Sequence, residues 1–394
     1  MTKVNNILFF LTGVILMIEA GCKKPYMPPA ITATSNYLVV EGVINTGQDS
    51  TIVRLSHTVT LSSTVGTTPE VRASVVVESD AHTSYPLTET GNGYYSSPGL
   101  NLSSSNKYHL KITTADSKAY QSDFVTPKDS PPIDSVYYMI QNNGLRINVD
   151  THDPSNHTTY YRWGFNETWQ IHSAFYSSAV YSKTPKDTVL YRDPANQIYS
   201  CWLSKSSSNI ILGSSAKLSS DVIKGNELSF ISSTSDKISV RYSVLVKQYA
   251  LTAEAYNYWT QLKKNTEQLG SIFDAQPSEI LGNIHCITDP AEPVIGYISA
   301  GAVAKKRIFV DAVALPAWIP TTPFDGCRMD TLYYAAKPNG RNEVKDEIYS
   351  GNQIPLFPIL LHPGPPIIII GYAAGTPECV DCTLYGSNKQ PDFW

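Results

Sequence analysis

The feature that most limits what this chain can become is a hydropathy period of two. Residues 37–44 (YLVVEGVI), 51–56 (TIVRLS), 73–78 (ASVVVE), 85–87 (YPL), 93–95 (GYY), 107–112 (KYHLKI) and 119–122 (AYQS) are short runs rich in β-branched and aromatic residues, separated by segments of turn formers. Alternation sends successive side chains to opposite faces of a strand but would scatter them around a helix, so these runs predict strands. Short strands with turns between them, about seven in roughly a hundred residues, predict a sandwich. Residues 30–127 therefore read as an immunoglobulin-like β-sandwich. Composition agrees: charged residues are 16% of the chain, against about 25% in a typical soluble domain, and Tyr outnumbers Phe by 25 to 11.

Prolines at 127, 131 and 132 end that pattern, because Pro cannot donate to a strand ladder. Alternation restarts at 133–138 and 145–150, and 160–170 (YYRWGFNETWQ) resembles the central tryptophan-bearing strand of a fibronectin type III sandwich. Residues 133–394 are thus expected to form a second, decorated β domain, making the whole chain mainly β with two sandwich domains. Its decorations are a polar, irregular insertion over 173–235 and a helix over 253–269. Thr252 is placed to cap the helix, Glu254 suits its first turn, and Gly270 suits its end. Ala255, Trp259, Leu262 and Leu269 share one helical face, predicted to pack on the strand around 240–246. Core packing is expected of that face; ligand binding through Tyr256, Tyr258 and Trp259 is the other reading. Residues 354–371 are apolar, yet five prolines bar a regular helix there.

The beginning of the chain sets the compartment. Residues 7–18 (ILFFLTGVILMI) are too short an apolar run to cross a hydrocarbon core of ~30 Å but match the apolar region of a signal peptide. Ala20 and Gly21 before Cys22 resemble a bacterial lipobox, although Glu19 stands where a Leu-like residue is usual. The expectation is a signal peptide over 1–21, acylation of Cys22, and a Pro-rich tether over 22–29 holding the body off the membrane. A net charge of −4 gives no electrostatic case for nucleic acid.

Further along, the helix is followed by 270–274 (GSIFD), 282–284 (GNI), 294–297 (VIGY), 307–310 (RIFV), the pair Cys379 and Cys382, and the closing 389–394 (KQPDFW). Together these resemble a domain-of-unknown-function family of Bacteroidota outer-membrane lipoproteins, across almost the whole mature chain. The resemblance implies a lipid-anchored outer-membrane protein often encoded beside a TonB-dependent receptor, and it brings no catalytic residues. Lys23 and Lys24 stand where surface-exposed members often carry acidic residues, which leaves open the medium-facing and periplasmic sides of the membrane.

Export also bears on the cysteines. With Cys22 set aside, Cys201, Cys286, Cys327, Cys379 and Cys382 are disulfide candidates in an oxidising compartment. Zinc would want a second close pair, and a redox couple would want its C-x-x-C at a helix start in a βαβ unit. Two structural bridges and one leftover thiol are expected, with Cys379 or Cys382 tied to Cys327 or Cys286. No cofactor or metal motif is present. His152 and Asp153 after Asp150 read as a turn rather than an acid/base site. Ser50, Ser135, Thr188 and Thr331 each follow Asp and precede Thr, Val or Leu, which resembles an O-glycosylation acceptor of that phylum. The sequence thus predicts a non-enzymatic binding or accessory lipoprotein, partnered with a TonB-dependent receptor in nutrient uptake or envelope assembly. The alternative is a hydrolase of polysaccharide or peptide, with Glu167 and Asp274 as converging carboxylates.

Overall fold

A computed structural model describes residues 36–59, 66–184, 186–267, 280, 282–335, 340–362 and 364–394. The fold is mainly β, as the alternation predicts. In the first body, one 11-stranded sheet runs through Ala119–Ser122, Tyr108–Thr113, Ser74–Ser79, Ser84–Gly91, Tyr94–Ser97, Thr51–His57 and Leu38–Ile44. Ser84–Gly91 pairs with Ser74–Ser79 through its first half and with Tyr94–Ser97 through its second. This folds the sheet over one core holding Leu38, Val53, Val77, Tyr95, Leu110 and Tyr120.

The two ends of that sheet are both supplied by a segment that the sequence division assigns to the second domain. Ile284–Cys286 pairs with Ala119–Ser122, whereas Ile295–Gly296 and Ser299–Ala300 pair in parallel with Leu38–Ile44. The boundary at 133 is therefore not final: the chain returns to complete the first body before Ala304–Asp311 rejoins the second beside Arg241–Leu251. Parallel pairing across so long a sequence separation leaves no local signal. The residues behind the family resemblance hold this return in place. Asn283 Nδ2 donates to the Ile298 carbonyl at 2.9 Å, and its Oδ1 accepts from Ile298 N at 2.8 Å. Gly282 lies so close to Gly296 that a Cβ there would stand 1.8 Å from the Gly296 carbonyl oxygen.

The second body packs a three-stranded sheet against a five-stranded one. Its centre is Tyr160–His172, paired with Arg241–Leu251 along one side and with Ile211–Ser214 and Ser200–Ser206 along the other. Alternation decides what this strand buries: Tyr161, Trp163, Phe165, Trp169 and Ile171 face the core. Trp163 is 1% exposed and its indole donates to Gln248 Oε1 at 2.9 Å. Truncating a ring so enclosed typically costs about 3–5 kcal/mol. The insertion expected to be irregular is instead ordered, contributing Ala179–Ser182, Thr188–Tyr191, Ser200–Ser206, Ile211–Ser214 and Val222–Ser232. Its polar alternation hid strands that expose one face to water.

The helix spans Ala253–Glu267, and Thr252 Oγ1 accepts from Ala255 N at 3.2 Å. It packs on the five-stranded sheet, but the buried face is turned from the one expected: Ala255 and Tyr258 are covered, and Trp259 is half-buried. Trp259 instead caps Arg162, whose guanidinium lies 4.3 Å from the ring centres of both Trp259 and Tyr249. Tyr258 turns to Tyr297 of the returning segment, 5.3 Å away. Leu269 and Gly270 lie outside the described residues. Among the described residues, no helix is long and apolar enough to cross a membrane.

A third, small body has no counterpart in the sequence reading. The proline-broken stretch forms an antiparallel hairpin, Ile354–Leu360 with Ile369–Gly375, whose second strand also pairs with Asp330–Tyr333. Its cores gather Leu332, Val344, Ile348, Tyr372 and Ala374 on one side and Leu356, Ala373 and Val380 on the other.

Candidate functional site

The cysteines explain how the last segment of the chain is placed. Cys201 bridges Cys382, and Cys327 bridges Cys379. The two members of the C-x-x-C therefore go to different partners, giving two bridges and one leftover thiol, the buried Cys286. Cys379 meets Cys327, one of the ties the sequence allows, and the second bridge, left open there, joins Cys382 to Cys201. The reason is register: 386–388 runs antiparallel beside the edge strand Ser200–Ser206, with Trp202 N donating to Ser387 O at 2.8 Å and Ser387 N to Trp202 O at 3.0 Å. Cys286 belongs to the core of the other body. One short helix, Pro377–Val380, does hold Cys379, and Asp381 accepts from Thr383 N at 2.8 Å in the turn that follows.

This docking builds a groove of about 540 Å³ between the edge of the five-stranded sheet and the last residues. Trp202 and Gln170, cross-strand partners, form its floor with Tyr199 and Ser200. Trp394 and Gln390 form the opposite wall with Asn388, and Tyr176 stands at the mouth, 58% exposed. The rings are set edge to face. Trp202 and Trp394 are 6.3 Å apart at 81°, and Tyr176 and Tyr199 are 5.7 Å apart at 73°. Behind the groove, Phe309 lies edge-on to Trp394 at 5.7 Å and Arg241 lies 5.5 Å from its ring centre, fixing that wall.

The polar lining is made of amides. Gln197 accepts from Tyr199 N and Ser200 N, both at 2.8 Å, and donates to Ser200 O at 2.8 Å. Asn388 donates to Gln197 O at 2.8 Å, tying the wall to the floor. The Trp202 indole N–H is covered and has no acceptor among the described residues. Among the described residues that line the groove, none has a formally charged side chain. His172 stacks beneath Tyr199 at 4.6 Å, and burial lowers its imidazole below the usual histidine range, so it is neutral at neutral pH. Uncharged rings with amide donors and acceptors suit binding of an uncharged, hydroxyl-bearing molecule. Nothing in the C-x-x-C spacing points to the groove; Trp202 beside Cys201 and Trp394 at the end of the signature were its available signals.

The other candidates are scattered. Glu167 is buried under the sheet, where its oxygens accept from Tyr242 OH at 2.8 Å and from Lys237 Nζ at 2.6 Å, an internal ion pair remote from any cleft partner. Asp274 and Cys22 lie outside the described residues. Asp153 is a turn residue, accepting from Ser155 N and His157 N at 2.9 and 3.1 Å, and His152 pairs with Asp134 at 2.8 Å. No metal-holding group of His, Cys, Asp and Glu occurs among the described residues. Ser50 and Thr331 are exposed, whereas Ser135 and Thr188 are half-buried in strands. A larger cavity of about 720 Å³ lies between the helix and 284–295. The carboxylate that lines it, the half-buried Glu292, is already bound by Lys118 Nζ at 2.6 Å and Tyr120 OH at 2.7 Å.

No curated protein matches the chain. Among solved structures, chitinase ChiA74 from Bacillus thuringiensis is similar over 49% of this chain and 27% of its own, at 12% identity and a TM-score of 0.12. The chain thus spans about a quarter of that protein's length, and so low a score carries no argument. A family model described as a domain of unknown function, DUF4249, matches residues 23–307. The match takes in both β bodies, the helix and the return strands, and ends before the third body and the tail wall of the groove. The chain belongs to the DUF4249 family.

Proposed function

We propose that this protein is a non-enzymatic, lipid-anchored outer-membrane protein that captures a neutral saccharide in the aromatic groove. It would act as a binding or accessory subunit beside a TonB-dependent receptor in uptake. The observation that carries this reading is the groove itself: rings of Trp202, Trp394, Tyr176 and Tyr199 with amides of Gln170, Asn388 and Gln390, and no charged side chain. The C–H faces of a sugar ring pack on aromatic faces, while its hydroxyls exchange hydrogen bonds with amides. The lipobox-like stretch ending in Cys22 and the similarity of 282–284 and 294–297 to envelope lipoproteins support the address and the receptor. Among the described residues the hydrolase alternative gains no support, since the Glu167 carboxylate is spent inside the second body.

Titration of the natively lipidated protein with a panel of uncharged oligosaccharides, followed by tryptophan fluorescence and calorimetry, tests the groove. Trp202→Ala and Tyr176→Ala should each weaken binding about tenfold, a change of about 1.4 kcal/mol. Wild-type affinity in both variants, or no binder in the panel, would overturn the assignment. Co-purification from outer membranes in mild detergent tests the partnership: a stoichiometric barrel protein in the eluate supports it, and elution alone removes it.

A further inference from the structure

The hairpin of the third body is covered at its base and bare at its end. Leu356, Tyr372 and Ala373 are 1, 5 and 2% exposed, whereas Leu361, Ile367, Ile368 and Ile369 are 60, 70, 42 and 40% exposed. The two strands still pair at this end, where Leu361 N donates to Ile368 O at 2.9 Å. From Ile348 to Pro377 the sequence contains no Asp, Glu, Lys or Arg. Beside the hairpin, Tyr191 is 85% exposed and borders a small apolar cleft with Pro358 and Ile369. Leaving so many large aliphatic side chains together in water is unfavourable relative to burial, and such patches mark interaction surfaces.

We propose that this hairpin end inserts into the interfacial layer of a lipid bilayer. Three observations select lipid over a protein pocket. The tip is aliphatic and proline-rich, with none of the Arg anchors or charged rim that protein interfaces carry. Pro365 and Pro366 bring no N–H, and unpaired backbone donors are what hydrocarbon penalises most. Tyr191 flanks the aliphatic end with an amphipathic ring of the kind enriched at the level of lipid headgroups. Asn36, where the described chain begins, follows Cys22 by 14 residues. They span at most about 50 Å fully extended, so an acylated Cys22 keeps the body close to the bilayer. The inference rests on the lipid-anchored reading, and insertion would give the anchored body a second point of contact that fixes its orientation.

The test uses the full, natively lipidated chain carrying Ile368→Cys, labelled with an environment-sensitive fluorophore; Leu361→Cys provides a second position and Ser103→Cys, on the first body, a control. Vesicles of phosphatidylethanolamine and phosphatidylglycerol contain a fraction of lipid spin-labelled on the acyl chain. Insertion predicts a blue shift and at least twofold quenching at 368 and 361, with neither at 103. Water-like emission at 368 and 361 while the protein floats with the vesicles overturns the proposal and leaves the anchor standing. If the mass of Cys22 shows no acyl group, the anchor reading fails on its own. The probe in excess vesicles then decides: a shift upholds insertion and its absence overturns it. Protection of 368 only after adding detergent-extracted outer-membrane proteins overturns lipid as the occupant.

Discussion

Removing the Cys201–Cys382 bridge should both destabilise the second body and open the groove, and the two effects can be separated. The bridge closes 181 residues of sequence, with Cys327–Cys379 nested inside it. While the inner bridge is intact, the outer loop is shortened to about 130 residues: 126 from Cys201 to Cys327 and 3 from Cys379 to Cys382. The chain-entropy relation gives about 5 kcal/mol for a loop of that length, and measured bridges typically deliver 2–4 kcal/mol. Cys201 and Cys382 are both fully buried, so a Cys201→Ala/Cys382→Ala double variant adds a cavity term of about 1 kcal/mol. Urea unfolding followed by tryptophan emission should place the loss at about 3–5 kcal/mol for this variant. Under native conditions the last segment would then be held to Trp202 chiefly by the backbone pair with Ser387 and by Asn388 on Gln197. Limited proteolysis should cleave within 383–394 in the double variant and spare it in the parent. Saccharide binding should fall with that cleavage, even where the rest of the body stays folded. Stability within about 0.5 kcal/mol of the parent, together with an uncut tail, would refute the account of the bridge as what pins this wall.

Two further outcomes follow from single residues. Gly386 lies where a Cβ would stand 2.8 Å from the Trp202 carbonyl oxygen, a backbone atom that cannot move aside cheaply. Gly386→Ala should cost about 1–3 kcal/mol and weaken groove binding, and an unchanged melting temperature and affinity would sink that reading. Asp153 is only 9% exposed; burial raises its carboxyl, but hydrogen bonds from Ser155 and His157 outweigh that and hold it down at about 2. A depressed folded pKa contributes stability that is full above the ordinary value of 3.8 and is lost as pH falls towards about 2. Asp153→Asn should remove about 2 kcal/mol of the stability difference between pH 6 and pH 2. An unchanged acid profile in calorimetry would show that the turn draws nothing from the charge.

Local pattern and tertiary placement divided the determination of this protein between them. The strands of 37–122, the central strand with Trp163, and the capped helix were legible because period-two and period-3.6 patterns are local consequences of which face meets the core. The presence of two bridges and a leftover thiol was legible from the five cysteines that remain once Cys22 is set aside. Strands within 173–235 were not, because alternation that exposes one face to water looks like a polar loop until a partner strand is known. The pairings of 284–286 and 295–296 with opposite ends of the first sheet join segments far apart in the chain, and sequence carries no register for them. The same physics set the helix face: Tyr258 and Trp259 are equally apolar on paper, and Arg162 on the neighbouring strand decided which ring would stack and which would be buried. The groove is the furthest case. Trp202 and Trp394 are 192 positions apart in the sequence, and only the bridge from Cys201 to Cys382 and the backbone pair at Ser387 bring their rings to 6.3 Å. Local sequence set what each strand would bury; long-range pairing, which costs loop-closure entropy that no short window encodes, decided where the binding surfaces lie.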